Sequence, residues 1–357
     1  MFSHGLGIGR QKPPLLGIDI GSTAVKMIEL SHAKSGSAHT YRVETWATEP
    51  LPPNALADRK IADPEAVSQT IRKAVTRSGS RAKQCALAIP GGAVITKVIS
   101  LPSALSDTEM ESRIQLDADQ YIPYPLSEVD LDFTVLGPST VQGEVDVLLA
   151  AARNEVVDSL VSTMDLAGIE TKVIDVEPFA LENACILALG AQGEGQTIAI
   201  ADIGSHATRI QVMRTGRSLY TREITFAGAQ LIEEIQHRYG LQPDEARRRL
   251  VEGDLPPGFA AEIAVPFQEA LAQQIGRALQ FYYSTTFSRP ADQILLAGGV
   301  AGLPGLDQVV ATRLGITAYV ANPFLHMTLS QKVALQELKR QAPALAVATG
   351  LALRRFD

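Results

Sequence analysis

Apolar and polar positions sort the start of the chain into short strands joined by glycine turns. "LLGIDI", from Leu15, is an apolar run broken by one aspartate, the pattern of a buried strand. "GST" turns it, and "AVKMIEL", from Ala24, is its return strand. "YRVETWATEPL" alternates enough to predict a third strand from Tyr41. "DPEAVSQTIRKAVTRSG" then predicts a helix, with acidic residues at its start and Gly79 at its stop. "QCALAIP" and "VITKVISLP" read as two strands around Gly91 and Gly92. A helix follows in "SDTEMESRIQLDADQYIPYPL", capped by Ser106 with Glu109 three residues on, and ended by Pro123 and Pro125. "VDLDFTVLG" and "EVDVLLAAA" are strands, and "RNEVVDSLVSTMDLAG" and "DVEPFALENACILALG" are helices.

The second half begins as the first did. "TIAIADIGS", "ATRIQVMRTG" and "SLYTREITFAG" give strand, glycine turn, strand, turn, strand. Helices are predicted over Ala229 to Tyr239, Pro243 to Glu252 and Phe259 to Phe287. "DQILLAGGV" is a strand delivering Gly298 and Gly299, followed by a helix from Leu306 to Leu314 and a closing small-residue helix, "APALAVATGLALRRF". The pattern is an internal repeat at domain scale, two related α/β halves. The expected organisation is a first-lobe core (1–84), an inserted subdomain (85–174) and a connecting helix (175–197). A second-lobe core (198–224) follows, then a second-lobe subdomain (225–290), more second-lobe core (291–335) and a C-terminal helix returning to the first lobe (336–357).

Composition narrows the function classes. A chain of 357 residues exceeds one small core, which agrees with two halves. The net charge of −7 argues against general nucleic-acid binding, although Arg247, Arg248 and Arg249 form one short basic run. No apolar stretch is long enough to span a bilayer, and "MFSHGLGIGRQKPP" lacks the charged-then-apolar layout of a secretory signal. That segment reads as a loose lead-in to the first strand. Cys85 and Cys185 give neither a disulfide framework nor a metal spacing, and their apolar settings suit core filler in a reducing cytoplasm.

The candidate chemistry lies in the repeated turns. A triphosphate needs close-approaching backbone N–H groups and hydroxyls, and a divalent cation needs carboxylates nearby, often through its waters. Asp19, Gly21, Ser22 and Thr23 supply these, with Lys26 on the outgoing strand; Asp202, Gly204, Ser205 and Thr208 supply a similar set. Taken singly, either string is equally a hairpin whose Asp and Gly satisfy turn geometry. Two copies at equivalent points favour a phosphate clamp. Gly298 and Gly299 add a place where a nucleoside could press against backbone; the plain alternative is a strand-to-helix turn.

The order of first loop, second loop and Gly-Gly strand resembles the actin-like ATPase superfamily, a duplicated ribonuclease H-like fold with two lobes and a nucleotide cleft. "LLGIDIGSTAVKMIEL", "DADQYIPYPLSEVDLDF", "IGRALQFYYS" and "APALAVATGLALR" are more narrowly similar to the PilM family of type IV pilus assembly. That resemblance implies ATP and magnesium as ligands. Asp19, Gly21, Ser22, Thr23 and Lys26 take the first phosphate loop; Gly204, Ser205 and Thr208, with Asp202, take the second; Gly298 and Gly299 take the adenosine. Asp19 and Asp202 would face magnesium through water. Glu177 would orient magnesium or the attacking water, or else serve only as a helix-start carboxylate. Expected activity is ATP binding with at most slow hydrolysis.

The implied partner is the N-terminal cytoplasmic segment of PilN, docked between the first-lobe core and the insert, with the pilus assembly complex and its motor ATPases beyond. The implied location is cytoplasmic and peripheral to the inner membrane, with membrane contact only through the partner and no nucleic acid bound. Three features depart from the family pattern: His206 in the second loop, Arg247 where relatives carry a glutamate near the base, and Gly228-Ala229 for a more usual Gly-Gly. The alternatives within the superfamily are a sugar or acid kinase and an FtsA-like division protein.

Overall fold

The computed structural model describes residues 13–33, 40–214, 217–286 and 289–356. The expected N-terminal lead-in, the turn after the strand ending at Arg214 and the last residue of the predicted long helix lie outside the described residues.

The first lobe opens with β1 (Leu15–Ile20), β2 (Ala24–His32) and β3 (Tyr41–Pro50), an antiparallel meander in the predicted places. A small hairpin, β4 (Leu56–Ala57) and β5 (Lys60–Ile61), leads to helix α1 (Pro64–Ser78). Asp63 caps α1 by accepting from the Ala66 N–H, and Gly79 closes it in the left-handed conformation. Strand β6 (Gln84–Ile89) then pairs parallel with β1.

Strand β7 (Val94–Pro102), helix α2 (Asp107–Asp117) and strands β8 (Val129–Pro138) and β9 (Glu144–Arg153) form a separate three-stranded unit, ordered β7-β9-β8. Ser106 and Glu109 make the expected capping box, which satisfies two orphan N–H groups of α2. The helix stops at Asp117 and passes through a 3₁₀ turn to Gln120, short of the prolines. Helix α3 (Asn154–Ala167), strand β10 (Glu170–Val176) and helix α4 (Glu177–Leu189) return the chain to the main lobe.

The insert's own sheet therefore spans 94–153, narrower than the expected 85–174. Strands β6 and β10 pair with each other in the main sheet, and α3 buries Leu160 and Met164 in one core with Val67 and Ile71 of α1. An apolar strand pattern states that a strand is buried, not which neighbour it pairs with.

The second lobe repeats the first. Strands β11 (Thr197–Ile203), β12 (Thr208–Arg214) and β13 (Arg217–Ile224) form the meander. Helices α5 (Gly228–Tyr239), α6 (Pro243–Glu252) and α7 (Val265–Thr286) follow. Strand β14 (Gln293–Ala297), helix α8 (Leu306–Leu314) and strand β15 (Thr317–Val320) complete the sheet. The two sheets have matching orders, β10-β6-β1-β2-β3 and β15-β14-β11-β12-β13. The first is extended at β3 by a parallel strand, β16 (Met327–Leu329).

After α9 (Leu335–Gln341), helix α10 (Ala346–Leu353) crosses α4 between the lobes. One buried cluster joins Leu15 of the first sheet, Ala180, Leu181 and Ala184 of α4, Ile198 and Ile200 of the second sheet, and Val347 and Leu351 of α10. Two glycines allow this crossing. A Cβ on Gly17 would collide with the Ala348 carbonyl, and one on Gly350 with the Ala180 carbonyl. Among the described residues, no helix is long and apolar enough to cross a membrane.

Candidate functional site

The two hairpin turns face each other at the mouth of the inter-lobe cleft. In the first, the β1–β2 register sets Asp19 directly opposite Lys26, and Lys26 Nζ donates to Asp19 Oδ2 at 2.7 Å. In the second, the β11–β12 register sets Asp202 directly opposite Arg209. Turn closure is also the same: Gly21 N–H donates to the Ala24 carbonyl and Gly204 N–H to the Ala207 carbonyl, each at 3.0 Å. The third element is the turn after β14. Gly298 holds φ +89° against the Ile203 carbonyl, where a Cβ would clash, and its N–H donates to the Pro343 carbonyl at 2.9 Å. A left-handed residue in that space must be glycine. Gly299 faces open space.

These elements enclose a cavity of ≈ 250 Å³. The structure brings Asp19, Gly21, Ser22, Thr23, Lys26, Glu177, Asp202, Gly204, Ser205, Gly298 and Gly299 together around it, with His206 beside them. Thr208 does not: it is fully buried, and its hydroxyl donates to the Phe226 carbonyl at 2.7 Å. It stands at the first position of β12 with its side chain buried, so it is not among the residues that the structure brings together around the cavity. Arg247 lines the cavity with Leu250 and Val251 of α6, while its Nη1 reaches Asp244 at 3.0 Å.

Glu177 starts α4 at the floor of the cleft, and two guanidiniums hold it. Arg59, from the β4–β5 turn, pairs with it directly, and Arg209 Nη1 lies 3.2 Å from Glu177 Oε1. Both arginines also reach Glu223 of β13, Arg59 at 3.6 Å and Arg209 at 3.4 Å. Arg59 sits on a turn in which Asp58 (φ 47°) and Arg59 (φ 64°) are both left-handed. That backbone suits a two-residue hairpin and strains side-chain-bearing residues.

Burial and charge oppose each other here. Burial alone would lower the Lys26 ammonium. The adjacent Asp19 carboxylate, with Asp202 and Glu177 beyond, outweighs it and holds Lys26 above its ordinary value. Burial pushes Asp202 up to about 6; Arg209 opposes the rise, and the nearby Glu177 carboxylate adds to it.

Sequence reasoning missed Arg209 and Arg59. Arg209 had a signal: it follows Asp202 by the interval that separates Lys26 from Asp19, since both intervals are one hairpin register. Arg59 had none, because it lies far along the chain from every residue it pairs with.

The cleft suits a nucleoside triphosphate: glycine-closed turns, an ammonium and a guanidinium from the two hairpins, and apolar Val300, Pro343 and Val347 in its lining. A directly ligated divalent cation suits it less. Asp19 is paired with Lys26, and Glu177 and Asp202 with arginine. Among the described residues, no three His, Cys, Asp or Glu side chains converge as a metal site.

The family model for type IV pilus assembly protein PilM matches residues 17–356. The chain belongs to that family. Among solved structures, a PilM-PilN type IV pilus biogenesis complex is 29% identical, covers 97% of this chain and 99% of its own, and superposes with a TM-score of 0.79. The ethanolamine utilization protein EutJ of Carboxydothermus hydrogenoformans is 19% identical over 96% of this chain and 89% of its own, at TM-score 0.56. MreB5 of Spiroplasma citri bound to ADP is 13% identical over 95% of each chain, at TM-score 0.50. The fold is the actin-like ATPase fold, and the duplicated sheet order agrees with it.

Proposed function

We infer that this chain is the ATP-binding cytoplasmic component of a type IV pilus inner-membrane assembly complex, recruited by the N-terminal segment of PilN. The observation that carries the nucleotide part is the facing pair of glycine-closed turns, each with a cation directly opposite its aspartate. The partner part rests on family membership and on likeness to a PilM-PilN complex. A cavity of ≈ 620 Å³ between the β4–β5 turn, α3 and the inserted sheet supports a docking place for a short segment. Its floor is apolar, with Ile61, Ile95, Val156 and Leu160, and its rim carries Lys60, Tyr124 and Arg153. Such a segment orders on binding and can draw a protein to the membrane.

Arg59 and Glu223 line this cavity, and Arg59 lines the nucleotide cleft as well. Nucleotide binding redistributes charge around Glu177, and the Arg59 bridge carries that change to the groove. Bound ATP thereby favours one groove shape over another. A sugar or acid kinase would need a free base for the acceptor hydroxyl, and the carboxylates of this cleft are ion-paired.

The test is thermal stability with ATP, with a PilN N-terminal peptide, and with both. At a hundredfold excess over Kd, ATP should add about 2.7 kcal/mol of stability, and Lys26→Ala should lose most of that gain. A wild-type chain that binds the peptide but ignores ATP would leave an adaptor without a nucleotide.

A further inference from the structure

We propose that Arg209 takes the place between Asp202 and Glu177 that a divalent cation would need. The cleft then grips a nucleoside triphosphate through Lys26 on one wall and Arg209 on the other, with no metal bridge to the second lobe. It holds the nucleotide without cleaving it. This rests on the nucleotide reading above.

Arg209 is a buried cation, 5% exposed, on the wall of the cleft. Its Nη1 stands 3.2 Å from Glu177 Oε1 and 3.6 Å from Asp202 Oδ2. These are ion-pair distances, yet this buried Nη1 is aligned as a hydrogen bond to neither carboxylate. Its Nη2 is taken by Glu223. A buried guanidinium with one unsatisfied donor has capacity for a further acceptor, and a phosphate oxygen is the acceptor that its fork geometry matches.

The same position excludes a metal. Magnesium needs near-octahedral oxygen ligation and ordered waters, whereas the space between these two carboxylates is filled by a group that stays charged at every working pH. The first lobe is built alike: Lys26 covers Asp19 at 2.7 Å. Neither aspartate is free to direct a hydrated cation onto the terminal phosphate.

Hydrolysis also needs a group to orient the attacking water and take its proton. Glu177 is the carboxylate that starts α4 in the cleft, and it is ion-paired to Arg59 and to Arg209. Binding energy without a transition-state contact leaves the chemical barrier in place.

The experiment is an ATP titration of the full chain, in magnesium and in EDTA, with a fluorescent triphosphate as probe. Wild type should bind in EDTA within about threefold of its magnesium affinity, and Arg209→Ala should bind about tenfold or more weakly in EDTA. Magnesium should restore part of that loss, because the vacated carboxylates can now accept a cation. Wild-type hydrolysis should not exceed buffer background. If circular dichroism shows Arg209→Ala unfolded, the neutral pair Arg209→Gln with Asp202→Asn takes its place, with the same loss in EDTA expected. Wild-type binding that disappears in EDTA, wild-type turnover of ATP, or a variant that binds in EDTA as wild type does would each overturn the proposal and leave the nucleotide reading intact. No binding by wild type in either condition would remove both.

Discussion

Lys26 and Arg209 occupy the same place in the two halves of the fold. Each stands directly across its hairpin from an aspartate, Asp19 for the lysine and Asp202 for the arginine. The duplication thus copies a charge pair as well as a sheet. The two copies differ in how far they reach: the ammonium serves mainly one carboxylate, and the guanidinium lies among Glu177, Asp202 and Glu223.

Arg59 joins the cleft to the neighbouring groove, so its removal should uncouple them. In wild type, ATP should change the affinity for a PilN peptide by about fivefold or more. In Arg59→Ala that factor should fall close to one, with each ligand still binding alone. Calorimetric titrations of peptide with and without ATP measure it, and an unchanged factor would remove Arg59 from the coupling.

Thr208 is a core residue, so Thr208→Val should cost about 1–2 kcal/mol of stability, the worth of a buried hydrogen bond whose carbonyl partner is left unmade. ATP affinity should not change. Loss of ATP binding by a folded Thr208→Val chain would return the hydroxyl to the phosphate loop.

Glu182 of α4 is buried and accepts from Gln211 Nε2 at 2.6 Å. Burial pushes its carboxyl up to about 7 from an ordinary 4.5; the Gln211 and Ser218 hydrogen bonds oppose the rise, and Asp175 adds to it. A carboxyl raised on folding contributes stability that is fully present below its unfolded value and lost as pH rises through its folded one. Its contribution therefore declines from about pH 4.5 to about pH 7. Glu182→Gln should remove that slope, gaining on the order of 2 kcal/mol over wild type at pH 8 and little at pH 4. Parallel urea melts of the two proteins across this range would expose a mistaken assignment as equal slopes.

Gly350 marks the tightest point between the lobes. A methyl group there meets the Ala180 carbonyl, which belongs to the α4 backbone and cannot rotate aside. Gly350→Ala should destabilise the chain by about 3 kcal/mol, read as a lower denaturation midpoint. Gly17→Ala, against the Ala348 carbonyl, should behave alike. A neutral effect at both would mean that α10 can shift on α4 and β1.

The residues by themselves determined the parts that depend on neighbours along the chain. The β1–β2 and β11–β12 hairpins, the Asp63 and Ser106 caps and the bounds of α6 and α8 follow from periodicity, glycine turns and capping chemistry within a few positions. The repeat placed both glycine turns, and the hairpin registers that follow from it set Lys26 opposite Asp19 and, unread in the sequence, Arg209 opposite Asp202. Tertiary structure decided what depends on distant partners. It drew β6 and β10 into the main sheet and left β7, β8 and β9 as a separate sheet. It turned Thr208 away from the cleft and carried Arg59 across 118 positions to Glu177. Local patterns record whether a face is buried or exposed; which buried face meets which is settled by packing and by charges brought together only when the chain closes on itself.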